Sequence, residues 1–282
     1  AKDIPQLFKI IDFLIKEKKF ENIEIYLNKL KKYDIPFKEI PLIEAKIELN
    51  YNRFSESLKL VETVLQDDRW NLDAIIIKSE IISKIENAKS ALEYLDQIDF
   101  EKLDNSSAFI IQRANLLEQS LGSDSAIEYL IKEKEINKDN LDIAVCLANL
   151  YLKEGNPLIA QDIAIEALNI NAENSGLLHL LGNISKDLGD LDKAIDYLMR
   201  SITIAPFFTE NYIQLSKMFE SRRDYKDSIE ILKKGLEILP NDFSLLRYTG
   251  LLFYKQGKYT EAQVKLKKAL NMYPKDSDLV KI

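Results

Sequence analysis

A spacing of 34 residues recurs through this chain and constrains its fold more than any other feature. Pro206, Pro240 and Pro274 lie 34 residues apart. In the same register, five small residues follow one another at 34-residue intervals: Ala126, Ala160, Ala194, Ser228 and Ala262. A fixed period of this length is typical of proteins built from stacked supersecondary units. We therefore expect a repeat architecture, stabilised by contacts between neighbouring units rather than by one central core.

The pattern between these positions predicts that each repeat is a pair of antiparallel helices. Gly155, Gly189 and Gly257 fall at one position of the repeat, and Arg223 is the exception. Glycine allows the left-handed backbone conformation in which many helices end, so the first helix of each pair should stop at this point. The prolines then prevent the second helix from continuing into the next pair.

Small residues at a further position indicate that the two helices of a pair pack closely. Gly182 and Gly250 share this position, where Ala114, Ala148 and Ser216 are also small. A larger side chain there would hold two helix backbones apart. Composition agrees with long helices and short turns, because the chain has only 8 glycines and 7 prolines. Average usage would give roughly 20 and 14, so a β-sandwich or a glycine-rich α/β enzyme is disfavoured.

These positions resemble the tetratricopeptide repeat (TPR) family, whose pattern is W-x₂-L-G-x₂-Y, then A-x₃-F, then P, over about 34 residues. One clear copy consists of Leu178, Leu181, Gly182, Ser185, Gly189, Ala194, Leu198 and Pro206. The resemblance implies an all-α fold, a right-handed α-solenoid superhelix of about eight TPR helical hairpins. The abundant Ile, Lys and Asn also resemble the product of an AT-rich genome, which favours a bacterial source.

The repeat register predicts one TPR domain that covers residues 1–282. Its approximate repeats are 4–37, 38–71, 72–106, 107–140, 141–174, 175–208, 209–242 and 243–276. The first of these fits the period least well, because Ile23 occupies the position of a small residue. We therefore expect it to be a degenerate cap.

The resemblance implies that the first helix of every repeat lines a concave groove, which binds a peptide or a helix of a partner. Asn115, Asn149 and Asn183 follow one another at 34-residue intervals on these first helices. An asparagine offers two donors and an acceptor, so the three could pair with the backbone of an extended peptide. The alternative is that asparagine is common at this position in the family and contacts only water or adjacent helices.

The expected peptide-binding groove contains further polar side chains besides the three asparagines. They are Gln112, His179, Lys186, Gln214 and Lys217. The family's best-known clamp, which holds the carboxylate of chaperone tails, needs lysine, arginine and asparagine in three consecutive repeats. No three repeats of this chain supply that set, so that type of ligand is disfavoured.

No catalytic or cofactor-binding motif accompanies the repeats. The sequence lacks a glycine-rich phosphate loop, HExxH and G-x-S-x-G. Its one cysteine, Cys146, and one histidine, His179, exclude a disulfide framework and metal sites that need two such ligands. We therefore predict a non-enzymatic scaffold or adaptor that binds a protein or peptide and needs no metal or cofactor. The alternative is the substrate-recruiting TPR region of a larger enzyme, of glycosyltransferase or sulfotransferase type, whose catalytic domain lies outside this chain.

The net charge and the hydropathy of the chain disfavour some classes of binding partner. A net charge of −7 would repel nucleic acid and anionic lipid, and no apolar run is long enough to span a membrane. We expect a soluble, cytoplasmic protein of undetermined oligomeric state. The stretches 1–34 and 242–282 carry +2 and +4, which leaves −13 on the span between them. That span could attract a basic partner, or its charges could simply be solvated helix faces.

Overall fold

The computed structural model of the chain describes residues 20–33, 39–103 and 107–272, together with Ile4, Leu7, Phe8, Ile11 and Ile15. These residues form fifteen α-helices and one short 3₁₀ helix, and no strand occurs among them. The all-α prediction is thereby confirmed. Contacts divide the chain into two compact units, Ala1–Glu133 and Lys134–Ile282. The structure describes the predicted repeat 4–37 only in part, and the division of 1–282 into eight repeats stays a prediction.

The first unit consists of α-helices and one 3₁₀ helix. Their bounds are α1 (Phe20–Leu30), α2 (Ile40–Asn50), α3 (Phe54–Asp67), α4 (Leu72–Ile85), α5 (Ala88–Asp96), the 3₁₀ helix Phe100–Leu103, α6 (Ser107–Leu121) and α7 (Ser123–Ile136), within which the boundary between the units falls. Helices α2 and α3 form one hairpin and α4 and α5 the next, and α3 packs on α4. The first helices α2, α4 and α6 are in contact in that order.

The second unit continues with four hairpins. Their helices are α8 (Leu141–Lys153), α9 (Pro157–Ile170), α10 (Ser175–Asp187), α11 (Leu191–Ile204), α12 (Thr209–Ser221), α13 (Tyr225–Ile238), α14 (Phe243–Lys255) and α15 (Tyr259–Met272). Each hairpin packs on the next, and the first helices α8 and α10, and α12 and α14, are also in direct contact. Within each unit, the stacked hairpins make an α-solenoid, as the repeat pattern predicted.

The predicted hairpin turns are confirmed by the backbone. Gly189 has φ of 82°, in the left-handed region, and Asp190 N–H donates to the Ser185 carbonyl at 2.9 Å. That six-to-one hydrogen bond closes the C-terminus of α10 in a Schellman motif. Arg223, the exception in the sequence pattern, also adopts φ of 64°. The turn geometry is therefore imposed by the hairpin, even where the residue is not glycine.

Close packing at the small positions is also confirmed. A Cβ atom on Gly182 would lie 2.8 Å from Cγ of Leu198, and one on Gly250 would lie 2.5 Å from Cδ2 of Leu266. Both distances are well inside van der Waals contact, so the facing leucines occupy the space that a side chain would need. The glycines therefore set how closely the first and second helices of these hairpins approach.

The ends of the second helices agree with the proline prediction where they are described. Helix α11 ends at Ile204, two residues before Pro206, and α13 ends at Ile238, two residues before Pro240. Pro274 lies outside the described residues. No helix in the described part of the chain has both the length and the apolar character that crossing a membrane requires.

Candidate functional site

In the first unit, the helices α2, α4 and α6 line a cleft of about 710 Å³. Its walls combine aliphatic side chains with many polar ones: Ile15, Lys46, Leu49, Asn50, Asn52, Asp73, Ile76, Ile77, Glu80, Ser83, Lys84, Gln112, Asn115, Leu116, Glu118 and Gln119. The cleft lies on the first helices, which is where the resemblance to TPR proteins placed the groove. We call it the first-unit cleft.

Two predicted site residues of α6 have different surroundings in this cleft. Asn115 is exposed, so its amide is accessible to a ligand. Gln112 is buried, and its Nε2 donates to Oγ of Ser79 on α4 at 2.9 Å. One donor of Gln112 is therefore used to hold neighbouring first helices together, and the residue has fewer groups to offer a ligand.

Charges of both signs line the first-unit cleft. Lys46 and Asp73 approach to 3.4 Å across α2 and α4, and both side chains retain solvent exposure. Ser83 on α4 donates to Oε1 of Gln119 on α6 at 3.2 Å. Exposed pairs of this kind contribute little to stability, so they can exchange partners with a ligand at small cost. The cleft can therefore form hydrogen bonds and ion pairs with a peptide without favouring a basic or an acidic ligand.

In the second unit, Asn149 on α8 is exposed, as a groove asparagine should be. Its Nδ2 donates to the Val145 carbonyl of its own helix at 3.0 Å. This hydrogen bond fixes the orientation of the amide and leaves Oδ1 as the acceptor that Asn149 can offer to a ligand. The residue can therefore accept from an N–H group of a ligand.

A chain of hydrogen bonds joins Asn183 and His179 to Asn211 of the next repeat and, through it, back to Ser201 of their own repeat. Nδ2 of Asn183 donates to Nε2 of His179 at 3.1 Å. The Nδ1–H group of His179 donates to Oδ1 of Asn211 at 2.6 Å, and Asn211 is fully buried. Its Nδ2 donates to Oγ of Ser201 at 2.8 Å, and that hydroxyl donates to the Ser175 carbonyl. The network assigns the His179 proton to Nδ1.

The network leaves one acceptor of Asn183 without a partner. Oδ1 of Asn183 is buried and has no hydrogen bond, while the residue as a whole is half-buried. A buried acceptor that lacks a donor costs about 1–3 kcal/mol. Because Oδ1 itself is closed to solvent while the residue is half-buried, a backbone N–H of a ligand would reach this acceptor after the Asn183 side chain turns outward.

His179 has a positioning role in this arrangement. Its ring lies edge-on to Phe208, with the ring centroids 5.1 Å apart. With one nitrogen hydrogen-bonded to Asn183 and the other to Asn211, the imidazole is held on three sides. Both of its nitrogens are therefore engaged within the protein, and His179 holds the Asn183 amide in place rather than contacting a ligand itself.

The remaining predicted residues lie along the first helices α10 and α12. Lys186 is exposed and pairs with Asp187 at 3.2 Å, and Gln214 is half-buried. Lys217 is exposed, and its Nζ lies 5.6 Å from the centre of the Tyr248 ring. The structure thus places cations next to Asn183 and one repeat beyond it.

Sequence reasoning missed a polar cluster around Tyr248. Its hydroxyl donates to Oε1 of Glu220, whose other oxygen lies 3.8 Å from Nζ of Lys255. Burial is the main cause that raises the pKa of Tyr248, and the Glu220 carboxylate adds to it. The partners lie in neighbouring repeats, 28 residues apart. The 34-residue register could have found them, because Tyr248 occupies the repeat position of Gln214, and Glu220 that of Lys186.

Asn115 belongs to the first unit, whereas Asn149 and Asn183 belong to the second. Their arrangement as one ladder of three therefore stays a prediction. No group of three or more His, Cys, Asp or Glu side chains in the described part of the chain could hold a metal ion.

Comparison with known proteins identifies the repeats. Residues 175–208, which hold α10 and α11, match the family described as tetratricopeptide repeat. The chain is 24% identical over 252 residues to the Protein CTR9 homolog of Arabidopsis thaliana, covering 83% of this chain and 22% of that protein. It is 26% identical over 216 residues to a TPR repeat-containing protein of Methanocaldococcus jannaschii, covering 73% of this chain and 38% of that protein.

Solved structures share the fold. The crystal structure of a thermophilic TPR protein of Thermus thermophilus superposes with a TM-score of 0.51 at 14% identity, covering 65% of this chain and 99% of that chain. The chain spans only about a fifth to two fifths of the length of the two curated relatives. The repeat match identifies residues 175–208 as a tetratricopeptide repeat, and the TPR-named relative and the shared helical fold make the rest of the described chain similar to proteins of that family.

Proposed function

We propose that this chain is a protein-interaction scaffold that binds an extended peptide, or an extended segment of a partner, along its first helices. Tetratricopeptide repeats generally mediate protein–protein interactions and are generally not catalytic. The repeats present an extended surface made of many similar side chains, which suits a ligand with a regular backbone. The relatives do not favour the alternative of a substrate-recruiting region of a transferase.

The observation that carries this proposal is the orphan acceptor of Asn183. Its Oδ1 is buried without a hydrogen bond, and its amide is held in place through His179 and Asn211. On the preceding first helix, Asn149 has its Nδ2 occupied and its Oδ1 available. The two side chains would supply acceptors to backbone N–H groups of one bound strand, Asn149 directly from the surface and Asn183 once its side chain turns outward to pair its orphan oxygen.

The test compares peptides that differ only in their backbone. Short peptides that bind the purified chain are first selected from a random library and then resynthesised with single N-methyl groups. Methylation removes a backbone N–H donor while the side chains stay the same. We expect methylation at one or two positions to weaken binding about tenfold, since a hydrogen bond to an asparagine acceptor is lost.

The matched variants are Asn149→Ala with Asn183→Ala in one chain, and Asn169→Ala as the control on an exposed face of α9. The double variant should lose most affinity for the unmethylated peptide and should no longer distinguish it from the methylated one. The control should behave as wild type. Equal affinity of the double variant and wild type, with helicity unchanged, would refute backbone recognition by these asparagines.

A further inference from the structure

Helix α9 exposes an unusual amount of aliphatic surface. Four of its large side chains are more than a third exposed: Leu158 (64%), Ile159 (45%), Ile165 (38%) and Ile170 (49%). Helices α3 and α5, which are second helices of hairpins in the first unit, expose no large hydrophobic side chain in their described residues. Single exposed hydrophobics are normal, but several on one helix mark a candidate interaction surface.

The inward face of α9 explains why its large side chains point out. Ala160, Ala164 and Ala167 are buried, at spacings that place them on one side of the helix. These alanines let α9 approach its neighbours closely, so little of its aliphatic content is needed inside. Isoleucine and leucine on the opposite side therefore do not stabilise the hairpin stack.

The exposed residues form two adjacent rows. Leu158, Asp162 and Ile165 follow one another at intervals of four and three residues, so they lie along one side of the helix. Ile159 and Ile170, eleven residues apart, lie along the neighbouring side. We call these five residues the α9 outer face. One acidic residue, Asp162, therefore lies among its four aliphatic residues.

The acidic residues of α9 indicate what kind of partner would bind the α9 outer face. The exposed charged groups of α9 are Asp162 and Glu166, and the helix contains no basic residue. Glu166 is already paired with Lys134 at 2.9 Å, so Asp162 is the acidic group in the middle of the face. A second copy of the chain fits poorly, because antiparallel pairing of two α9 helices would bring one Asp162 close to the other as the apolar surfaces closed.

We propose that the α9 outer face is a second docking surface, separate from the groove, for a basic amphipathic helix of a protein partner. Leucine or isoleucine side chains of that helix would cover Leu158 and Ile165, and a lysine or arginine beside them would pair with Asp162. The mode is helix on an exposed helix face, with anchors at helical spacing.

The experiment uses the full chain and a designed probe peptide in which leucines at helical spacing alternate with lysines. A second peptide has glutamate at every lysine position. Fluorescence anisotropy measures both peptides against wild type, against Leu158→Gln with Ile165→Gln, against Asp162→Lys, and against Val264→Gln. Val264 on α15 is the control because it is 63% exposed, like Leu158. All substitutions lie on exposed helix positions, and circular dichroism checks that each variant is folded.

We expect the lysine peptide to bind wild type and Val264→Gln equally. The variant Leu158→Gln with Ile165→Gln should bind the lysine peptide about tenfold more weakly or worse, as expected when central apolar contacts are lost. Asp162→Lys should weaken it several-fold and abolish most of its salt dependence, and the glutamate peptide should not bind. The Asn149→Ala, Asn183→Ala double variant should bind as wild type does.

Three results would overturn the proposal. The first is no binding of the lysine peptide to wild type, and the second is equal binding to wild type and to the Leu158→Gln, Ile165→Gln variant. The third is a concentration-dependent dimer of the wild-type chain in sedimentation that this double variant disperses. That last result would assign the α9 outer face to a second copy of the chain.

Discussion

Replacement of Asn211 by alanine should destabilise the second unit through the His179 network. Asn211 is fully buried, and its amide accepts from His179 at 2.6 Å and donates to Ser201 at 2.8 Å. The substitution leaves the His179 Nδ1–H without an acceptor, at a cost of about 1–3 kcal/mol. Loss of packing around the truncated side chain adds to this, so we expect a total of roughly 2–4 kcal/mol.

A double-mutant cycle measures the interaction energy between His179 and Asn211. His179→Ala alone removes the same hydrogen bond from the other side, and the chain with both substitutions should be less destabilised than the sum of the two single variants. We expect a coupling energy of about 1–2 kcal/mol, as found for residues in one buried network. Thr203→Ala is the control, because Thr203 is exposed and bonds only within its own helix, and its effect should be within about 0.5 kcal/mol.

Urea unfolding followed by circular dichroism gives the free energies. Hydrogen exchange of the α10 and α12 amides accompanies it, because the two units need not unfold together. In the Asn211→Ala chain, the amides of α10 and α12 should exchange faster than in wild type. Strict additivity of His179→Ala and Asn211→Ala would show that the two side chains do not interact, and the account of how Asn183 is positioned would be wrong.

Three further predictions concern turns, packing and alkaline pH. Arg223→Gly should raise the unfolding free energy by up to about 1 kcal/mol in urea melts, since it relieves a left-handed backbone at φ of 64°; no gain would contradict that geometry. Gly250→Ala should lower it by about 1–3 kcal/mol, because its Cβ would overlap Leu266, and an unchanged melt would show that the leucine moves freely. Burial raises the pKa of Tyr94 to about 12 from 10.0. Its contribution to stability is therefore present below pH 10 and lost as the pH rises through 12. Tyr94→Phe should show a shallower loss of stability over that range, and parallel pH curves for the variant and wild type would refute the shift.

The repeat architecture could be predicted from the sequence because turns and close contacts demand particular residues. A left-handed turn favours glycine, and the position where two helices of a hairpin meet accepts only small residues, so their 34-residue spacing is visible in the chain. Arg223 shows the limit of this reasoning. Its position departs from glycine, yet the hairpin still imposes φ of 64°, because the stacked helices outweigh one unfavourable residue.

The roles of the site residues were only partly predictable. Register placed Asn115 and Asn149 on the surface of first helices, where the structure has them. It could not show that Gln112 uses a donor on Ser79, or that Asn183 is held by His179 and Asn211, because these depend on side-chain conformations between neighbouring repeats.

The outward aliphatic face of α9 was also hidden from sequence patterns. Its buried side carries alanines at Ala160, Ala164 and Ala167, and its exposed side carries larger residues such as Leu158. A hydrophobic pattern in the sequence separates an apolar helix face from a polar one, but both faces of α9 are largely apolar. Only burial shows which side faces the solvent.

The most direct test of the central claim is hydrogen exchange of the full chain with and without a saturating, library-selected peptide. Recognition through backbone groups at Asn149 and Asn183 predicts new protection in α8 and α10, near those residues, and its disappearance in the double alanine variant. Protection confined to second helices such as α9, or protection that persists in the double variant, would contradict the claim that these asparagines of the first helices hold the peptide.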